Sequence, residues 1–460
     1  MIKEFLNWAR HTLGIDRAIA FTVLARGWSS AAGIVTILLI ARFLSAAEQG
    51  YYYTFGSLVA LQIVFELGFS IVILQLASHE RAHLSISDEG VVSGNSIAHE
   101  RLASVLQKSV RWYSTMAVLM AVILIPSGFY FFSRHQHTAQ LVAWRLPWCM
   151  VVLAATFTFQ IDPVLSFLEG CGQVADVARL RLSQAVFGSL LVWAALVTHH
   201  GLFAPAMMIL GQVIVGVLWL YTRSGLLLGL FRYKTSTHEI QWQTEVWPFQ
   251  WRIAVSWICG YFIFQLFNPV LFAYKGAIAA GQMGMSLSIA SALTSVAIAW
   301  VNTKAAPFGS MIARKDYIQL DKVFFKALRQ TVFVCSIGAL AVWLGSIYLR
   351  TVGIRLAERM LDPLPLGILL LATIINVIVF AESVYLRAHK EEKFLTSSIM
   401  GAIFVGSSTY WFGRQYGAIG MVSGYLAVGI FLGLGYNTYI FLKYREQWHQ
   451  DKPLATDLPA

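Results

Sequence analysis

FQWRIAVSWICGYFIFQLFNPVLFAYKGAIAAGQMGMSLSIASALTSVAIAWVNTKAAP, residues 249–307, decides the fold. It holds two apolar stretches, roughly 253–273 and 283–301, each about the 20 residues a helix needs to cross a bilayer. The small-residue hinge GAIAAGQ (276–282) joins them. Arg252 stands at the entry of the first and Lys304 at the exit of the second. Residues 26–76 carry the same pattern: Arg26 on an apolar helix with serines one turn on, the hinge AAEQG (46–50), then another span. Ala46, Ala47 and Gln49 align with Ala279, Ala280 and Gln282. The sequence is an internal repeat.

Composition agrees. Of 460 residues 57% are hydrophobic and 12% charged, and mean hydropathy is +0.64. The expected class is an all-α polytopic membrane protein, because a lipid-exposed backbone must satisfy its own hydrogen bonds. The alternating ten-residue segments of a membrane barrel are absent. Twelve transmembrane helices fit at roughly 18–42, 51–76, 112–132, 146–168, 180–198, 202–229, 253–273, 283–303, 331–349, 365–386, 394–412 and 417–441. No cleavable signal is expected in 1–16, which fits a short amphipathic helix on the headgroups. Cys149, Cys171, Cys259 and Cys335 form no CxxC and suggest neither a disulfide framework nor a zinc site.

The net charge of +11 is an orientation signal and implies no nucleic acid. Of the 34 Lys and Arg, only Arg42, Arg134, Arg145, Lys275, Arg350, Arg355, Arg359 and Arg414 fall on the side opposite the termini. Arg26 lies inside a span, and the remainder lies on the termini's side. By the positive-inside rule both termini are cytoplasmic. The loop 77–111 begins Ser/Gly-rich and turns into a basic amphipathic helix, and 318–332 repeats that helix. Two six-helix halves, 1–230 and 251–460, are joined by a polar linker, 231–250. Six is even, so the halves are parallel repeats.

On these residues the chain resembles the polysaccharide transporter family, the O-antigen-type lipid-linked oligosaccharide flippases. The carriers are ARFLSAAEQGY (41–51), FELGF (65–69), WRIAVS (251–256), GYFIFQLF (260–267) and AGQMG (280–284). The wider superfamily also holds multidrug extruders and the lipid II flippase, which has two further spans. The resemblance implies two six-helix bundles around a central cavity and alternating access in a bacterial inner membrane. It also implies a polyprenyl-pyrophosphate-linked glycan as substrate, with polysaccharide polymerase and chain-length proteins as partners.

Charges inside spans are costly and usually face a cavity or a partner. Arg26 lies about 12 Å into the first span at 1.5 Å per residue, with Ser29, Ser30 and Gly33 on its stripe. Glu66 lies at a similar depth in the second, so Arg26 is expected either to pair with Glu66 or to bind an anionic headgroup. Arg252, with Ser256 and Gly260 on its face, either snorkels or does the same, as does Lys304. Asp162 precedes Pro163, which can open a kink beside a carboxylate. It is a candidate for ion coupling or helix pairing, as are Glu66 and Glu382, the last within reach of Arg387. Asn268-Pro269 is expected to kink the seventh span. Substrate contact is assigned to Arg26, Ser30, Arg252, Ser256 and Lys304. No Walker loop, H-E-x-x-H or Ser/His/Asp set is present, so no catalytic residue, metal or cofactor is expected. A cation-coupled multidrug exporter would favour carboxylates in the first and seventh spans, where arginines stand. A non-transporting membrane subunit of an envelope-polysaccharide assembly would not need buried charge in both halves.

Overall fold

The computed structural model describes residues 17–87, 91–135, 142–235, 239–389 and 393–450. The expected surface helix at 1–16 lies outside them. The chain divides into two compact units, Met1–Ile258 and Cys259–Ala460.

The first unit is built from α1 (Arg17–Phe43), α2 (Ala46–Glu66) and α3 (Phe69–Arg81), then a hairpin of β1 (Leu84–Ile86) and β2 (Val92–Gly94). There follow α4 (Ser96–His135), α5 (Arg145–Gly170), α6 (Val174–Val197), α7 (Ala204–Thr222) and α8 (Ser224–Arg232). The α9 helix (Trp247–Phe264) crosses into the second unit. There α10 (Phe267–Lys275), α11 (Ala277–Ala297), α12 (Ala305–Ala313), α13 (Tyr317–Thr351), α14 (Pro363–Ala388), α15 (Leu395–Val428) and α16 (Thr438–Gln450) complete the chain.

Nine of the described helical stretches are long and apolar enough to span a membrane, and two bent pairs make eleven. Gly417, at φ 67° and ψ −144°, interrupts the 55-residue stretch Leu395–His449 and brings the number to twelve. The fold is the expected all-α polytopic one.

Local chemistry explains the boundaries. Ser45 and Glu48 form a capping box at the start of α2, with Ser45 N donating to Glu48 Oε2 at 2.8 Å and Glu48 N to Ser45 Oγ at 3.2 Å. The pair satisfies two backbone donors that a helix start leaves open. The second span then breaks by 45° between α2 and α3. Leu67 and Gly68 both adopt the left-handed conformation there, at φ 52° and 66°. The seventh span bends by 40° between Phe264 and Phe267. Pro269 lacks the N–H that would bond the Gln265 carbonyl, so the break falls a turn before the Asn268-Pro269 pair expected to mark it. Pro163 opens no such break. It is buried within α5, which runs unbroken from Arg145 to Gly170 and packs on α3, α4 and α7.

The Ser/Gly-rich start of the 77–111 loop forms the β hairpin, with Ser85 opposite Ser93. The basic amphipathic helices are the first turns of α4 and α13, continuous with the third and ninth spans. No Gly or Pro stands where helix and span meet.

Segment 231–250 packs on the first unit. Gln107 Nε2 donates to the carbonyls of Leu230 (3.1 Å), Phe231 (3.1 Å) and Tyr233 (2.9 Å). Lys108 Nζ donates to Ile240 O at 2.7 Å and pairs with Glu239 at 2.9 Å. The Arg101 guanidinium bridges Glu80 and Glu245. In the second unit, α16 folds back in a comparable way. Arg445 pairs with Asp321 at the start of α13, and Trp448 stacks on His389 at 3.7 Å. Phe308, Phe324, Tyr385 and Phe441 form the apolar core beside that contact.

Candidate functional site: the broken second span and the unpaired cations

Glu66 is the last residue of α2, directly before the left-handed pair. A helix end frees backbone groups, and a break inside a membrane survives only where protein or water satisfies them. Glu66 Oε1 accepts from Ser70 Oγ at 2.7 Å across the break. Tyr113, 1% exposed on α4, places its hydroxyl near Ser70, where it makes no hydrogen bond among the described residues. Asp162 on α5 lies within electrostatic reach of Glu66, and Tyr113 within reach of both carboxylates. Elements α2, α3, α4 and α5 thus converge on one polar cluster inside the first unit. Arg181 on α6, paired with Glu169 at 3.2 Å, also lies within electrostatic reach of Asp162 and supplies part of the compensating charge.

The break has a second partner. Ile253 Cγ2 lies 2.3 Å from where a Cβ on Gly68 would stand. Trp242 packs on Phe69 at 4.7 Å and on Trp112 at 5.2 Å. Residues from 242 to 253 are therefore the wall against which the second span bends.

Arg26 does not pair with Glu66. Its side chain is exposed and makes no hydrogen bond or ion pair among the described residues. On the helical wheel Arg26 shares a stripe with Thr22, Ser29 and Gly33, beside the face that packs on α6. The opposite exposed face holds Val23, Leu24, Ile34 and Leu38. One face of α1 therefore suits lipid, and the arginine lies on another. Ser30 is half-buried on the edge of that stripe. Arg252, exposed at the start of the seventh span, lies over its neighbour Trp251 at 5.6 Å and has no acidic partner among the described residues. Ser256 is half-buried one turn on. Lys304, in the second unit, caps the start of α12, and its exposed ammonium is likewise unpaired among the described residues.

Glu382, 3% exposed on α14, does not bond Arg387. Its Oε1 accepts from Thr438 Oγ1 at 2.9 Å, and its Oε2 has no partner among the described residues. Thr438 follows the π-helical turns Gly429–Asn437, whose wider pitch turns the end of the last span toward α14.

No family model and no curated protein matches the sequence. Solved structures do. The eukaryotic MATE transporter AtDTX14 superposes with a TM-score of 0.58 at 13% identity, over 96% of this chain and 99% of that one. An inward-facing multidrug resistance MATE family transporter of the MOP superfamily gives 0.57 at 14%, over 91% and 99%. The lipid II flippase MurJ in an inward closed conformation gives 0.56 at 13%, over 94% and 90%. The chain shares the fold of these solved transporters.

Within this fold, the structure sets Asp162 within electrostatic reach of Glu66, and Arg26 makes no ion pair with Glu66. Sequence reading missed Ser70, Tyr113 and Thr438, which are single hydroxyls in apolar runs. It also missed Trp242, which looks like one more interfacial tryptophan. The one available signal was Leu67-Gly68, a glycine directly after a carboxylate in mid-span.

Proposed function

We propose that the protein is a flippase that moves a polyprenyl-pyrophosphate-linked oligosaccharide from the cytoplasmic to the periplasmic leaflet of a bacterial inner membrane by alternating access. Its termini are cytoplasmic, and its repeats are 1–230 and 251–460 with 231–250 as linker. The observation that carries this reading is the set of cations at spans with no acidic partner among the described residues: Arg26 and Arg252, with Lys304 in the second unit. A charge at a membrane span without a protein counter-ion needs another one. Pyrophosphate supplies it, with several acceptor oxygens that suit the planar fork of arginine. Ser30 and Ser256 offer hydroxyls to the same headgroup. MurJ, a lipid II flippase, shares the fold, which is consistent with a lipid-linked glycan. A polymerase and chain-length proteins are the partners such a product requires.

Glu66 with Asp162, and separately Glu382, would couple the cycle to a proton or a cation. These carboxylates also favour a second reading, a cation-coupled exporter of the multidrug type. The two readings part on the arginines. For a flippase, Arg26→Glu or Arg252→Glu at normal membrane abundance abolishes surface polysaccharide, and lysine at either position keeps part of it. Glu66→Arg does not rescue Arg26→Glu, since the two are not a pair. Full export in Arg26→Ala plus Arg252→Ala, or drug efflux that survives the charge reversals, removes the flippase reading.

A further inference from the structure

One groove of the first unit takes no part in the polar cluster. It has a volume of about 480 Å³ and lies among Leu58, Leu61, Leu124, Tyr130, Phe131 and Trp148. Its floor exists because of Gly128: a Cβ there would stand 2.1 Å from Trp148 Cε2, so only glycine lets the indole lie against α4. Trp148 Nε1 donates to the Ile125 carbonyl at 3.2 Å, which leaves an apolar ring face toward the groove. Pro126, on the groove wall, removes one backbone donor and loosens the helix beside it. Along α4 the lining runs from Leu124 to Phe131, about 10 Å at 1.5 Å per residue. An apolar recess of this kind stays dry, and at the depth of a span its natural occupant is hydrocarbon.

The rim is not apolar. Tyr130 lines the groove, and its hydroxyl accepts from Arg134 Nη1 at 2.8 Å while the guanidinium lies 5.8 Å from the ring centroid. One turn before Trp148, Arg145 lies over Trp144, also at 5.8 Å. Both arginines are exposed, and neither has an acidic partner among the described residues. No acid occurs in the sequence from 134 to 145. Glu48, at the same end of the unit, is engaged in its capping box. Arg134, on the last turn of α4 and bonded to the groove residue Tyr130, and Arg145, on the first turn of α5 that carries Trp148, therefore flank one end of a hydrocarbon-sized groove without an acidic partner among the described residues.

We infer that this groove and its rim form a binding site for an anionic phospholipid. One acyl chain fills the recess between α2, α4 and α5, and the headgroup phosphate lies on Arg134 and Arg145. An isolated arginine at a helix end attracts any anionic headgroup loosely. Here the chain site and the charge site are built on the same helix turns, so chain and headgroup bind together. This inference is independent of the transported substrate.

The test is native mass spectrometry of the detergent-purified full-length protein with dipalmitoyl phosphatidylglycerol or dipalmitoyl phosphatidylcholine. One phosphatidylglycerol is expected to remain bound about 30-fold more tightly than phosphatidylcholine, about 5-fold for each arginine. Arg134→Ala plus Arg145→Ala lowers phosphatidylglycerol to the phosphatidylcholine level. Arg42→Ala, which removes an arginine lying over Phe43 at the same end of α1, leaves the preference intact. Ser127→Trp, at an exposed groove position, fills the recess and removes both lipids without lowering the melting temperature. Glycerol phosphate does not compete. The inference is overturned by any of four results. These are an unchanged preference in the double variant, an equal loss in Arg42→Ala, lipid retention in Ser127→Trp, or competition by glycerol phosphate. A dimer that disappears in Ser127→Trp would show that a second copy of the chain occupies the groove, and would overturn it as well.

Discussion

Replacing Arg101 tests how segment 231–250 is held to the first unit. Arg101 Nε lies 2.7 Å from Glu80 Oε1, and the other arm of the guanidinium reaches Glu245. The two acids are not equivalent. The Glu80 side chain is 6% exposed and that of Glu245 32%. Arg101→Ala strands the buried Glu80 charge, and breaking a buried pair from one side costs about 3–5 kcal/mol. The Glu245 arm belongs to the exposed regime of about 0–1 kcal/mol. His79, mostly exposed and 3.8 Å from Glu80, is too far out to replace the arginine. Arg101→Ala is therefore expected to lower stability by about 3–4 kcal/mol and Glu245→Gln by about 1 kcal/mol or less. Arg101→Leu combined with Glu80→Leu should cost less than Arg101→Ala alone, because no buried charge is left behind. Reversible unfolding in mixed detergent and dodecyl sulfate micelles reads all three variants against the wild type. Equal costs for the two arms, or a double variant worse than Arg101→Ala, would refute the reasoning.

Gly68→Ala should cost about 2–4 kcal/mol, from the left-handed backbone and the contact with Ile253. In an Ile253→Ala background only the backbone part of about 1–2 kcal/mol should remain, so an equal cost in both backgrounds would show that Ile253 does not wall the break. Lys108 and Arg101 hold the Glu239 and Glu245 carboxyls below their ordinary value of 4.5. A depressed carboxyl stabilises the folded state above its unfolded pKa and loses that contribution as pH falls through the folded one. Docking of 231–250 should accordingly be constant from pH 7 to about 5 and loosen below 4.5, followed by Trp242 fluorescence; Glu239→Gln plus Glu245→Gln should flatten the profile. Glu66→Gln and Asp162→Asn should leave the protein inserted and folded while transport stops responding to the ion gradient, and wild-type response in both variants would remove the coupling role.

Much of this protein is legible along one dimension. A lipid-facing backbone must close its own hydrogen bonds over about 20 residues, so runs of apolar residues announce spans before any contact is known. The capping residues Ser45 and Glu48, three apart, and the proline of the seventh span act within a turn or two of the chain. For the same reason the twelve spans, and the presence of a break near Pro269, follow from the sequence. What only the tertiary structure decided is pairing. Arg26 and Glu66 match in depth and opposite charge, yet depth does not fix the rotation of a helix about its axis, and they face different neighbours. Glu66 instead meets Ser70 within its own span and comes within electrostatic reach of Asp162 on another helix. Arg101 finds Glu245 across 144 residues of chain. Hydropathy is a property of each residue alone. Contact between helices depends on rotation, on where small residues such as Gly68 and Gly128 let neighbours approach, and on which buried charges must be compensated, and these are set only when the helices pack.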